Sequence, residues 1–248
     1  MSSQLIDVTE ELEFGLSQLP KGASVAVIDD DPEEVFATSM VLEDAGFVAV
    51  GFEPRREPID ALLERVSGSS AALVCDHRLN GRDNIPFSGA EVVNRANRHY
   101  HLPSVLSSTY VSRDQGTSIR IWREGIPFLL GKDEQTPESL RSALALTIAE
   151  LEGRVTRSRV AFPAIIEVLE VEERGEFPSV VAIVPAWKPS TSVEIPIEII
   201  KRDIEIDVSA LPGKWLEAEV NCHAQEERDL FFKNFSLSPE LPSDWMNG

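Results

Sequence analysis

Two groups of carboxylates stand out among the 248 residues. Asp29-Asp30-Asp31 follows the apolar run Ser24-Val25-Ala26-Val27-Ile28, and Asp76 ends the apolar run Ala71-Ala72-Leu73-Val74-Cys75. Short apolar runs of this kind suit buried strands. Two such strands ending in bare carboxylates predict one acidic pocket at the carboxyl edge of a parallel sheet, where open α/β sheets place their ligands. Carboxylates held together repel one another, and a hard divalent cation with oxygen ligands relieves that repulsion.

The surrounding pattern alternates strand and helix. The first strand is about 23–28, and Pro32 suits the first turn of a helix running to Ala45, with Gly46 as its C-cap. Phe47–Phe52 reads as a strand, Pro58 opens a helix over 58–66 that Gly68 ends, and 71–75 is the third strand. A helix near 88–98 turns Ala90, Val93 and Ala96-Asn97 inward, followed by a strand at 104–108, a helix at about 115–124 and a strand at 127–131. Pro137 begins the fifth helix. This rhythm predicts a parallel sheet with helices on both faces. Two later strands also end in polar side chains: Leu102-Pro103-Ser104-Val105-Leu106-Ser107-Ser108-Thr109 in hydroxyls, and Phe128-Leu129-Leu130-Gly131-Lys132 in a lysine.

In order and spacing, residues 22–152 resemble the receiver domain of two-component response regulators. The resemblance implies a flavodoxin-like, doubly wound, five-stranded parallel sheet. It also implies Mg²⁺ held directly by Asp30 and through water by Asp29, with Asp76 as both ligand and phosphoacceptor and the backbone carbonyl of Arg78 completing the protein's ligands. Lys132 then brings a cation to the other side of the phosphoryl group. Ser108, five residues after Pro103, aligns with the switch hydroxyl, and Thr109 one step later is its rival for that role. The implied donor is a histidine kinase or a phosphotransfer protein. Three features depart from the pattern. Leu129 stands where the family often has an aromatic residue, Asp133 stands where proline usually follows the lysine, and the segment Asn80-Gly-Arg-Asp-Asn-Ile-Pro-Phe is longer than usual. Asp31, ahead of Pro32, reads as a helix-start residue rather than a ligand. His77 reads either as an exposed loop histidine or as one that positions water.

Other readings of the same residues are a phosphate sink or relay intermediate, a pseudo-receiver scaffold, and a metal-dependent phosphohydrolase. The scaffold reading leaves Asp29, Asp30, Asp76 and Lys132 unexplained. The phosphohydrolase reading needs Gly-Thr where Pro32-Glu33 follow the acidic triplet, and it gives Asp76 no role. No Gly-rich phosphate loop, nucleophile elbow or His-Glu-x-x-His is present, so an enzyme is not expected.

Outside this region, residues 1–21 form an extension in which Thr9 caps a short helix with Leu12, Leu16 and Leu19 as its apolar side, broken by Pro20-Lys21-Gly22. Leu140, Leu144, Ile148, Leu151 and Val155 make a near-heptad stripe. It reads as sheet cover running into a linker at 153–160, or as a dimer coil. Residues 161–240 change to short alternating runs: Ile165–Val171, Val180–Pro185, Ser192–Ile200, Ile204–Val208, Trp215–Cys222 and Leu230–Leu237. They predict a small β-rich domain, a barrel or sandwich, ahead of an irregular tail at 241–248.

The net charge is −19, and from Val160 onward 17 acidic residues face 7 basic ones. Neither half offers the basic surface that a phosphate backbone requires, so nucleic acid is excluded as a partner and output through an unidentified protein partner is expected. No apolar run approaches the roughly 18 residues of a membrane span. Met1–Val8 lacks the features of a signal peptide. Cys75 and Cys222 make no disulfide framework, which fits a cytoplasmic protein, and Cys222-His223 lacks further zinc ligands.

Overall fold

Val25, Val27, Val74 and Val105 share one core, while the alternate residues Ala26, Ile28, Leu73, Cys75 and Leu106 are equally buried. Strands covered on both faces in this way belong inside a parallel sheet. The computed structural model describes residues 4–6, 17–79, 85–109, 113–173 and 176–238. It divides the chain into two compact units: Met1–Val111 with Trp122–Arg157, and Ser112–Ile121 with Ser158–Gly248.

The first unit contains β1 (Gln4–Ile6), β2 (Ser24–Ile28), α1 (Pro32–Asp44), β3 (Val48–Phe52), α2 (Ile59–Ser67), β4 (Ala72–Asp76), α3 (Gly89–His99) and β5 (Ser104–Ser108). The helix α4 (Arg113–Arg120) lies in the second unit, and β6 (Leu129–Gly131), α5 (Pro137–Leu151) and β7 (Arg154–Thr156) return to the first. The main sheet has the order β3-β2-β4-β5-β6, and every pairing is parallel. Counted from β2 this is the 2-1-3-4-5 order of the flavodoxin-like fold. Leu42 and Ala45, at the end of α1, and Leu140, Ala143 and Leu144 of α5 cover the face carrying Val25, Val27 and Val74. On the other face α3 packs on β4 and β5.

Local chemistry accounts for the element ends. Asp31 caps α1 by accepting the backbone N–H of Glu33, as a helix-start residue should. Gly46 and Gly153, at φ +86 each, end α1 and α5 in the left-handed region. Because α5 stops at Leu151, the near-heptad stripe does not continue to Val155, which lies in β7. The stretch expected to be a linker is therefore partly a strand, and β7 pairs in parallel with β1, Gln4 opposite Arg154. Leu19 packs against the first unit's core. Thr9, Leu12, Leu16, Asn80–Asn84 and the tail at 241–248 lie outside the described residues.

The second unit carries a separate antiparallel sheet in the order β10-β9-β8-β11-β12, formed by β8 (Phe162–Glu172), β9 (Ser179–Ile183), β10 (Ser192–Pro196), β11 (Trp215–Val220) and β12 (Phe232–Leu237). Ala164, Ile166 and Val168 alternate with exposed or half-buried neighbours along β8, as do Leu216, Ala218 and Val220 along β11. Two expectations fail here. Ile197–Ile200 is not strand but the start of α6 (Ile197–Asp203), which buries Ile197, Ile199 and Ile200, and Ile204–Val208 forms no strand. Pro196 ends the ladder and leads into the helix. Asp203 then accepts the backbone N–H of Phe235 at 2.8 Å, tying α6 to β12.

The departure with the largest consequence is α4. It packs on β10, with Thr117 donating to the Glu194 carboxylate at 3.3 Å. Arg120, 5% exposed, donates to the carbonyls of Glu194 and Glu227 and to the Glu227 carboxylate. Arg202 of α6 donates to the carbonyl of Ile121 at 3.2 Å.

Gly89, the first residue of α3, lets that helix approach β4. A Cβ there would lie 1.6 Å from the backbone oxygen of Asp76 and 3.1 Å from Cys75 Sγ. Gly89→Ala must push α3 or the end of β4 aside, and should destabilise the protein by about 3 kcal/mol in urea denaturation. A loss below about 0.5 kcal/mol would mean that the two elements are not in contact at this point.

Candidate functional site

The carboxyl ends of β2 and β4 are neighbours in the sheet, with Ile28 in register with Cys75. The residues that follow them therefore meet. One carboxylate oxygen from each of Asp29, Asp30 and Asp76 lies within 4.8 Å of the others. Asp29 and Asp76 are each 7% exposed, whereas Asp30 is exposed. Lys132, just past the end of β6, sends its Nζ to Asp29 Oδ2 at 2.8 Å and to Asp76 Oδ1 at 3.1 Å. Residues from three distant stretches of the sequence thus form one cluster.

Backbone groups orient the two buried acids. Asp29 Oδ1 accepts the N–H of Asp31 at 3.0 Å, and Asp76 Oδ2 accepts the N–H of Arg78 at 2.6 Å. Burial, and then the charge of Asp29, push the Asp76 carboxyl up to about 6, against the pull of Lys132. Asp29 is also raised, by burial first, with the Lys132 hydrogen bond opposing. For Lys132, burial works against the ammonium, but the hydrogen bonds and charges of Asp29 and Asp76 outweigh it and raise its pKa. Burial leads both shifts, and the charge of a neighbouring acid adds to each. Three hard oxygen donors converging, with one acid open to solvent, fit a divalent cation such as Mg²⁺. Asp29, Asp30 and Asp76 are the residues that would hold it.

The remaining expected residues are placed less centrally. Ser108 is buried at the end of β5, opposite Gly131, and Thr109 is exposed just beyond it. Ser107 is the register partner of Asp76. Arg78 contributes its N–H to Asp76 as described. His77 is not an exposed loop residue: it is 5% exposed, its N–H donates to the Ser107 carbonyl, and burial pushes its imidazole down to about 4. The backbone turn after β4 draws it inward.

Several contributors were not anticipated. Glu34, in the first turn of α1, reaches Lys132 Nζ at 3.3 Å. Gln135 donates to Ser107 Oγ at 2.6 Å and accepts from Thr38 at 3.2 Å. The only sequence signal for Glu34 and Thr38 is their spacing of four, which places both on one side of α1. Gln135 has none.

The sequence matches no family model and no curated protein. Solved structures to which it is similar include response regulator receiver domains, over about 53% of the chain, and the C-terminal part has no named match. One is the signal receiver domain of a modulated diguanylate cyclase from Desulfovibrio desulfuricans G20, at 14% identity and TM-score 0.42, covering 53% of this chain and 97% of that one. A response regulator receiver domain protein from Clostridium thermocellum aligns at 18% identity and TM-score 0.40, covering 52% and 97%. A CheY-like receiver domain protein from Methanospirillum hungatei JF-1 aligns at 15% and 0.38, covering 53% and 97%. The fold assignment itself rests on strand order and register.

A raised carboxyl pKa is also a stability statement. With Asp76 moved from 3.8 to about 6, its neutral form is the one the fold favours. Its contribution is full below pH 3.8 and is lost as pH rises through about 6. In chelator, Asp76→Asn should therefore stabilise the protein at pH 7 by on the order of 2 kcal/mol, with the gain fading toward pH 4. Urea denaturation at both pH values reads it; a gain that is equal at both refutes the electrostatic cause.

Proposed function

We propose that the chain is an atypical response regulator in which Asp76 accepts a phosphoryl group from a histidine kinase or phosphotransfer protein. The observation that carries this reading is Lys132 bridging Asp29 and Asp76 beside Asp30, at the carboxyl edge of a 2-1-3-4-5 sheet. Mg²⁺, when bound by Asp29, Asp30 and Asp76 with the Arg78 carbonyl, would neutralise the donor's phosphoryl oxygens.

The chain's own groups do the rest. At neutral pH Asp76 is above its pKa of about 6 and presents an ionised oxygen. That oxygen forms a bond to phosphorus as the bond from phosphorus to the donor's imidazole nitrogen breaks, the electron pair leaving with the nitrogen. The Arg78 N–H keeps Asp76 Oδ2 oriented during this exchange. Lys132, now held by three carboxylates, is placed to pair with an oxygen of the incoming group. Ser108 or Thr109 then offers a hydroxyl proton to the new phosphoryl oxygen, and the end of β5 moves with it.

Output through the second unit, toward a protein partner, is supported by α4. Only residues 109–112 separate β5 from a helix whose side chains are held by β10 and by the Glu227 carbonyl and carboxylate. In this proposal the direct chain connection from β5 to α4 carries the change toward that unit. This favours a regulator over a sink, in which nothing downstream need change. The strongly negative net charge, −19, supports an output other than nucleic-acid binding.

Intact-mass measurement after treatment with acetyl phosphate and Mg²⁺ tests the first step. The wild type should gain one phosphoryl group, and Asp76→Asn should gain none. No gain by the wild type rejects the phosphoacceptor role. For the second step, Arg120→Gln should leave labelling within about two-fold while reducing the phosphorylation-dependent change in hydrogen exchange across β10. A change that persists in full in this variant argues for a sink or for another route.

A further inference from the structure

Gln135 lies three residues past Lys132, and its amide joins two other elements rather than the three acids. Nε2 donates to Ser107 Oγ of β5 at 2.6 Å, and Oε1 accepts from Thr38 Oγ1 of α1 at 3.2 Å. Both partners are buried, Thr38 at 6% and Ser107 at 3% exposure. The same two elements also meet the site itself. Glu34, one helical turn before Thr38, reaches Lys132 Nζ at 3.3 Å, and Ser107 is in register with Asp76. Helix α1 thus holds the turn 132–135 at both ends, and β5 holds it from the side of the phosphoacceptor.

The turn is otherwise closed on itself. The Gln135 N–H donates to the Lys132 carbonyl at 3.4 Å, and the Glu134 carboxylate accepts the Gly131 N–H at 2.8 Å. A Cβ at Gly131 would lie 2.7 Å from Asp133 Oδ1 and 2.9 Å from Glu134 Oε2, so these two side chains fold back over the start of the turn. The β5–β6 ladder fixes the start of the turn, with Gly131 opposite Ser108. The Gln135 amide ties its far end to α1 and β5.

A lysine ammonium is a point charge on a flexible four-carbon stem, so its reach is decided largely by where its backbone is held. We propose that Gln135 is a positioning residue for Lys132: with Thr38 and Ser107 it places the 132–135 turn so that one ammonium meets Asp29 and Asp76 together. The geometric claim stands on the hydrogen bonds alone. Its catalytic consequence rests on the phosphoacceptor reading above.

The test uses the full chain and Gln135→Leu, which keeps approximate volume and removes both hydrogen bonds. Acylation of Lys132 by acetic anhydride is followed by peptide mass spectrometry, with exposed Lys201 as internal reference. Lys132 reactivity relative to Lys201 should rise several-fold as the ammonium loses its paired placement. At saturating Mg²⁺ the rate of labelling by acetyl phosphate should fall about ten-fold, since small misplacements of a charged group are costly in such a step. Mg²⁺ affinity by calorimetry should stay within about two-fold, because the acids are untouched. Thr38→Val and Ser107→Ala, each removing one bond, should move both readouts the same way by less, and they carry the test should Gln135→Leu fail to fold. In a Lys132→Ala background Gln135→Leu should slow labelling no further. An unchanged Lys132 reactivity, or a full second loss on top of Lys132→Ala, overturns the proposal. Should the wild type take up no phosphoryl group while Lys132 still becomes more reactive in Gln135→Leu, the phosphoacceptor reading falls and the positioning role stands.

Discussion

Two carboxylates, Asp29 and Asp76, are taken out of water beside each other, and a third, Asp30, stands within 4.8 Å at the solvent edge. Such a group is costly unless its charge is matched, and breaking a buried pair by removing one partner leaves the other uncompensated. Lys132 supplies the only cation among the described ion pairs of this cluster, through contacts of 2.8 and 3.1 Å. Much of the first unit can be understood as holding that match in place. The β2–β4 register brings the acids together, Gly89 admits α3 hard against the Asp76 backbone, and backbone N–H groups of Asp31 and Arg78 fix one oxygen of each buried acid. The balance is incomplete, since burial and the Asp29 charge still hold Asp76 at about 6. A site left short of positive charge can admit more of it, in the form of a cation or a donor that brings one.

The parallel sheet was legible because its strands are short apolar runs with both faces buried and with Pro or Gly at the boundaries of the intervening helices. The boundaries of β5 were read without error, and the other main strands to within two residues. The acids were legible for a related reason: a charge at the end of an apolar run can go only to the sheet edge. The exposed-loop reading of His77 fails because one backbone turn beyond a strand decides between core and solvent, and nothing in neighbouring residue types reports that turn. Gln135 was missed because an amide side chain forms its bonds across elements distant in sequence, to Ser107 and Thr38.

The second unit was harder to read. Alternation predicted its strands well where one face meets solvent, as in β8 and β11. It failed at Ile197–Ile200, where an apolar run of four serves a helix as readily as a strand. The assignment of α4 was out of reach. Among its described side chains the buried ones are Thr117, Ser118, Ile119 and Arg120, and its sequence Arg113–Arg120 carries no apolar stripe that advertises which surface it covers. Position in the β–α alternation pointed to the parallel sheet, but hydrogen bonds from Thr117 and Arg120 to β10 and to Glu227 outweigh that prior.

That helix has a consequence for the chain as a genetic object. A boundary near residue 157 looks like the natural place to divide the gene, yet 113–120 would remain with the wrong fragment. A fragment beginning at Ser158 would leave the carbonyls of Glu194 and Glu227 without the guanidinium that satisfies them, and the complementary fragment would carry a helix stripped of its partners. The two halves are interleaved rather than strung end to end. A single recombination event at that boundary would part α4 from the groups that bind it.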